Sequence, residues 1–138
     1  MHEFTTKRKV EFADTDMGGI MHFSRFVVFM ETAEHEFLNA LGTSVVVRHD
    51  GQHIGWPRVA LSVEYKKPAR FGDVLDIRVR VLRKGNKSMT YAFRFTRDDQ
   101  EIATGEMSSV CCVLESEETV RAIPIPSFIA DNIEEAPK

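Results

Sequence analysis

A change of hydrophobic period is what most constrains this chain. Over residues 26–41 the apolar positions Phe26, Met30, Ala33, Phe37 and Leu41 recur at spacings of three and four, with Val27, Phe29 and Leu38 widening the stripe. After Pro57 the spacing becomes two, at Val59, Leu61, Val63 and Tyr65, then Leu75, Ile77, Val79 and Val81, then Met89, Tyr91, Phe93 and Phe95. A further strand is expected over 101–114. Lys84-Gly85-Asn86-Lys87 and Arg97-Asp98-Asp99-Gln100 read as hairpin turns. A long helix followed by antiparallel strands on short turns has few compact solutions. The sheet must curl around the helix to bury both apolar surfaces, leaving its other face polar. One sheet edge then stays open, and a second copy of the chain can cover it, so a homodimer is expected.

The remaining segments fit around that frame. A first strand is expected over 5–13, and Ser24 is placed to cap the helix. Gly42 stands where a helix ends. Residues 43–57 show no clear period and read as a long loop. Pro124 and Pro126 lead into a short helix over 127–133. No repeat or linker interrupts the chain, so residues 1–138 read as one domain.

Composition excludes several classes of function. The net charge of -3 gives no bulk attraction to nucleic acid. No apolar run approaches the ~20 residues of a membrane helix, and no secretory segment opens the chain; the cytoplasm is the expected location. Cys111 and Cys112 are adjacent in an expected strand and point to opposite faces, so they read as two free, half-buried thiols.

Chemistry concentrates in Asp14-Thr15-Asp16-Met17-Gly18-Gly19-Ile20-Met21-His22-Phe23-Ser24. Two acids and a glycine pair precede a helix. Gly18 and Gly19 let the backbone turn sharply and approach a ligand. A carboxylate beside a helix N-terminus can act as base or nucleophile, while free N–H groups hold a developing oxyanion. Asp14 reads as a structural acid bonding loop amides. His22 is open between a pocket role and a structural one. Glu31 and Glu34 lie on the helix, Glu31 as a candidate for a neighbouring subunit's pocket or as a solvated acid. His35-Glu36-Phe37-Leu38-Asn39 lacks the second histidine of a zinc helix, so no metal is expected. His49 and His53 read as polar loop residues, and Trp56 as either a pocket cover or a packing anchor. Arg83, Lys84 and Lys87 cluster at one turn, as either a solvated turn or an anion contact.

These features together resemble the hotdog-fold acyl-CoA thioesterases, in particular the 4-hydroxybenzoyl-CoA thioesterase branch and the thioesterase of the Tol–Pal gene cluster. The resemblance runs from residue 5 to about residue 133. It is carried by Glu11-Phe12-Ala13-Asp14-Thr15-Asp16-Met17-Gly18-Gly19-Ile20, supported by Tyr65-Lys66-Lys67-Pro68-Ala69, Phe71-Gly72-Asp73 and Ile123-Pro124-Ile125-Pro126. It implies an α+β hotdog fold, with a five-stranded antiparallel sheet wrapped around one long central helix. It implies an acyl-CoA thioesterase with Asp16 as nucleophile or general base and the Phe23 backbone N–H as oxyanion donor. Gly19, His22 and Glu31 are the implied substrate contacts. Arg83, Lys84, Lys87 and Ser88 are implied to hold CoA, with Lys66, Lys67 and Arg70 as further basic residues. CoA enters as part of the substrate, no cofactor is implied, and the chain self-associates as a homodimer or homotetramer.

Two departures narrow the likeness. Many Tol–Pal-type members carry Tyr at the position of Phe12 and His at that of Phe23; the hydroxybenzoyl-CoA branch lacks both and relies on the Asp and backbone amides. His22 is one position away and does not take the family histidine's role. Two other readings stand beside this one: a thioesterase acting on acyl carrier protein, and a non-catalytic acyl-binding hotdog protein.

Overall fold

A computed structural model describes residues 1–116 and 119–138. The elements, in chain order, are β1 (Glu3–Lys9), a 3-10 turn (Phe12–Asp14), α1 (Arg25–Ala40), β2 (Val47–His49), β3 (Gln52–Gly55), β4 (Arg58–Tyr65), β5 (Val74–Lys84), β6 (Ser88–Arg97), β7 (Gln100–Val110), β8 (Cys112–Leu114), β9 (Val120–Ala122) and α2 (Ser127–Ala130). The main sheet has five strands in the order β1-β5-β6-β7-β4, and every pair is antiparallel. No helix among the described residues is long and apolar enough to cross a membrane.

Period-two alternation sets the faces of this sheet. Leu75, Ile77, Val79 and Val81 of β5 and Met89, Tyr91, Phe93 and Phe95 of β6 are buried against Phe26, Phe29, Met30, Ala33 and Phe37 of α1. Phe26 meets Phe95 edge-on at 5.3 Å, and Phe37 meets Tyr91 at 5.8 Å. Helix and sheet approach so closely at Gly105 that a Cβ there would lie 2.8 Å from the Met30 methyl. The outer face carries Arg78, Arg80, Arg94 and Glu106.

Five details differ from the sequence reading. The five-stranded sheet is joined by a second, four-stranded sheet of short strands, β2-β3-β8-β9. Two of these strands occupy the expected loop at 43–57, turning at Asp50 and Gly51, which both have positive φ. The first strand ends at Lys9 because Asp14 folds inward and draws its segment into a 3-10 turn. The strand expected over 101–114 breaks at Cys111. There the Cys111 N–H still reaches the Lys87 carbonyl in the register of β6, while its own carbonyl accepts the Ile123 N–H, and the chain passes from the first sheet to the second. Ser24 holds the cap position without a side-chain capping bond; its hydroxyl lies 2.8 Å from His22 Nδ1. Both cysteines are free and buried, and burial raises both thiol pKa values, that of Cys111 to about 11.

Two ion pairs of similar length differ in what surrounds them. Glu34 is 1% exposed in the middle of α1 and accepts two hydrogen bonds from Arg58 at 2.7 Å each. Desolvation opposes the Arg58 charge, but the Glu34 carboxylate outweighs it and raises its pKa. Removing one partner of a buried pair strands the other charge. Arg58→Ala should therefore cost about 3–5 kcal/mol in urea unfolding. Arg94→Ala, which breaks a 2.8 Å pair with Glu101 at a side chain 47% exposed, should cost less than about 1 kcal/mol.

Asp73 links stability to pH. Its Oδ2 accepts the Arg70 N–H at 2.8 Å and an Arg97 N–H at 2.6 Å. Desolvation pushes its pKa up, but these bonds and the arginine charges prevail and hold it below the ordinary aspartate value. A carboxyl depressed on folding stabilises above its unfolded pKa and loses that contribution as pH falls through the folded one. Acid unfolding followed by circular dichroism should show Asp73→Asn less stable than wild type at neutral pH, with the gap closing below about pH 4.

Candidate active site

The site loop is built by backbone bonding. Val10 exchanges hydrogen bonds of 2.8 Å with Gly72 and Asp73, where Gly72 turns the chain at φ +90°. Asp14 follows, 2% exposed, with one carboxylate oxygen on Arg25 Nε at 2.7 Å and the other accepting the Glu11 N–H at 2.8 Å. Both of its oxygens are thus tied to the frame.

Asp16, two residues on, is half-buried and differs. Its Oδ1 accepts the Gly18 N–H at 2.8 Å and the Ile20 N–H at 3.4 Å. Its backbone N–H donates to the Ile20 carbonyl at 2.9 Å, and its own carbonyl accepts the Gly19 N–H at 3.1 Å. Gly19 closes the turn at φ +81°, a conformation that a side chain would strain. Asp16 Oδ2 has no hydrogen-bond partner among the described residues. Turn formation therefore orients the carboxylate through one oxygen and leaves the second available.

A pocket of about 480 Å³ opens beside this carboxylate, lined by Asp16, Ile20, Phe23, Phe26 and Tyr65 and rimmed by residues 66–69. The backbone donors above it can be accounted for one by one. Met21 N–H goes to the Ala69 carbonyl at 2.7 Å and His22 N–H to the Asp14 carbonyl at 2.8 Å. Ser24 N–H goes to His22 Nδ1 at 3.2 Å and Arg25 N–H to the His22 carbonyl at 2.9 Å. Between Met21 and Arg25, the Phe23 N–H alone lacks an acceptor among the described residues. An orphan donor at a helix start, in a pocket with a carboxylate, is what an acyl-transfer site needs.

Other expected residues lie elsewhere. Gly19 belongs to the turn beneath Asp16. His22 stacks on Phe23 at 4.6 Å, with Nδ1 committed to Ser24. Glu31 is exposed on α1. Phe12 is exposed and meets Phe71 edge-on at 6.2 Å, outside the pocket lining. Trp56 is buried in the core as a packing anchor. No group of three or more metal-ligating side chains exists among the described residues.

The basic turn is far from the pocket within one chain. Tyr65 pairs with Ala103, which pairs with Phe95, so the pocket lies at the Phe95 end of β6. Ser88 is at the other end, seven residues away, or about 24 Å at the rise of a strand. Arg83 and Lys87 are exposed there. The Lys84 ammonium is already held by the carbonyls of Ala130 at 3.1 Å and Ile133 at 2.8 Å.

Sequence reasoning missed the Tyr65 hydroxyl, which donates to the Phe23 carbonyl at 2.9 Å. It also placed Lys66 and Lys67 behind the turn cations, although both lie at the pocket. Lys66 is within 3.4 Å of Glu64 and 3.9 Å of Glu101. A depression of similar size on the outer sheet face, about 470 Å³, lies between arginines bonded to Glu3 and Glu101 and joins neither Asp16 nor a helix start.

Known proteins share this fold. Residues 10–133 match the model of the thioesterase-like superfamily. A 1,4-dihydroxy-2-naphthoyl-CoA hydrolase of Synechococcus elongatus is 26% identical over 132 residues, covering 95% of each chain. The acyl-CoA thioester hydrolase YbgC of Escherichia coli is 28% identical over 131 residues, covering 89% of this chain and 90% of that protein. Among solved structures, a gentisyl-coenzyme A thioesterase superposes with a TM-score of 0.80 at 26% identity, over 94% of this chain and 98% of that one. The matched region contains the turn at Asp16, the helix and the whole main sheet except β1, and with it the chain belongs to the thioesterase-like superfamily of hotdog proteins.

Proposed function

We propose that this chain, a thioester hydrolase, cleaves an acyl-CoA to the free acid and CoA, with Asp16 and the Phe23 N–H as its working groups. The observation that carries this reading is the shared pocket. A carboxylate with one uncommitted oxygen and a backbone donor with no acceptor line the same cavity. The thioester carbonyl oxygen accepts the Phe23 N–H, which becomes a stronger bond as negative charge develops. A donor of this kind supplies on the order of 3–4 kcal/mol to the transition state. Asp16 Oδ2 then either attacks the carbonyl carbon, forming a mixed anhydride that water opens, or takes a proton from the water that attacks. In either route the tetrahedral adduct collapses, the C–S bond breaks, and CoA leaves as a thiolate. The step as written uses no metal. Ring faces and apolar walls at Phe23 and Phe26 suit either an aryl or an alkyl acyl group.

The basic turn joins this reading through a second subunit. β4 is a sheet edge, with Val59 and Leu61 63% and 49% exposed. An open apolar edge favours pairing with a second copy. If two β4 strands pair antiparallel, the Arg58 end of one lies beside the Tyr65 end of the other. Arg83, Lys87 and Ser88 of one subunit then reach toward its partner's pocket, where CoA phosphates need cations.

The first test is thiol release from a panel of aryl-, short- and long-chain acyl-CoAs. Asp16→Asn keeps an Oδ1 acceptor for the Gly18 N–H, so the turn survives while the charge is lost. Its kcat should drop about 10²–10⁴-fold. Near-normal turnover in a folded Asp16→Asn would sink the assignment, and a wild type inert toward every acyl-CoA would move the reading to carrier-protein substrates or acyl binding alone. The paired change Arg83→Ala with Lys87→Ala should raise KM for acyl-CoA and leave KM for the matching acyl-pantetheine unchanged. Equal effects on both would remove these residues from the CoA site.

A further inference from the structure

We infer that Tyr65 is a positioning residue, whose hydroxyl acts with the His22 ring to clamp peptide 23–24 and so hold the Phe23 N–H open to the pocket. The inference rests on the thioesterase reading above.

Tyr65 ends β4, and its place is fixed from two sides. Its backbone is in register with Ala103 of β7, and its ring packs edge-on against Phe26 at 5.3 Å. From there the hydroxyl donates to the Phe23 carbonyl at 2.9 Å. The N–H of the same peptide, on Ser24, donates to His22 Nδ1 at 3.2 Å. A backbone N–H can only donate, so Nδ1 is an acceptor and the proton of the neutral ring is assigned to Nε2. Peptide 23–24 is therefore held at both ends by side chains.

The neighbouring peptide, 22–23, is held at one end. Its carbonyl accepts the Arg25 N–H at 2.9 Å, while its N–H, on Phe23, is free. With the peptide on either side of it anchored, the Phe23 residue has no freedom to swing that N–H away. Without the Tyr65 hydroxyl, the exposed Phe23 carbonyl would exchange a fixed donor for mobile water, so peptide 23–24 would no longer be held in one orientation. Burial raises the Tyr65 pKa, so the phenol remains a donor through neutral pH. The hydroxyl touches the backbone of Phe23 and not the reacting atoms; it acts through the donor that it orients.

Tyr65→Phe keeps the ring against Phe26 and removes one hydrogen bond. The expected result is a fall in kcat on the order of tenfold to a hundredfold, part of the loss seen when an oxyanion donor is removed outright. KM and the thermal midpoint should stay at wild-type values. Affinity for a trifluoromethyl-ketone analogue of the acyl-CoA, which carries an oxyanion when bound, should fall by the same factor as kcat. His22→Ala, which frees the other end of the same peptide, should reproduce the kcat loss. The double variant should be no slower than the slower single, because both act on one peptide. Wild-type kcat in Tyr65→Phe, a KM rise that accounts for the loss, or fully multiplicative effects in the double variant would each overturn the inference. A wild type that hydrolyses thioesters and collapses in Asp16→Asn, beside an unimpaired Tyr65→Phe, would refute this inference alone and leave the parent reading intact.

Discussion

Everything in this molecule depends on enclosing one helix. The apolar stripe of α1 is too wide for a surface helix, and the sheet curls around it far enough for Met30 to rest on the bare backbone of Gly105. A sheet wrapped around a helix covers its flank and leaves its ends. The end reached first by the chain is the N-terminus of α1, where the macrodipole is positive and the first N–H groups have no helical acceptor. The proposed site lies at that end, where those N–H groups need acceptors from outside the helix.

The sequence discloses this frame because its signals are local and long. Sixteen residues of α1 and the ten or eleven of β5, β6 and β7 are enough to show a period. Strands β2 and β3 have three and four residues, too few for any period, so their hairpin was legible only in the Asp50-Gly51 turn signal between them. The break at Cys111 has no compositional mark. It lies where the Cys111 carbonyl accepts the Ile123 N–H instead of a β6 donor, a bond that only the folded register brings close.

The same division runs through the site. Asp16, Gly18 and Gly19 form a turn from bonds spanning four residues or fewer, so their arrangement is written in a short motif. The Tyr65 hydroxyl meets a carbonyl 42 residues away, and a backbone carbonyl carries no residue identity to read. Arg83 and Lys87 looked like part of one site because charge is visible in sequence. Their distance from Asp16 is set by strand register, which is not.

Asp14 and Asp16 show how one residue type acquires two uses within three positions. A carboxylate has two oxygens, and its chemistry is decided by how many the fold engages. Asp14 is buried with both committed, one to the Arg25 guanidinium and one to the Glu11 amide, so its negative charge serves to anchor the start of α1. Any nucleophilic role would require breaking a charge-assisted bond. Asp16 gives one oxygen to its own turn and keeps the other. The first interaction fixes the direction of the second oxygen without lowering its availability, and a Cβ at Gly18 would lie 3.1 Å from the first oxygen. The distinction depends on two residues of spacing: Asp14, inside the 3-10 turn, faces the helix, while Asp16, beyond it, bonds only its own turn. Exchanging the pair's environments would require moving Arg25, and with it the first turn of α1, so the assignment of roles is fixed by the helix rather than by the acids.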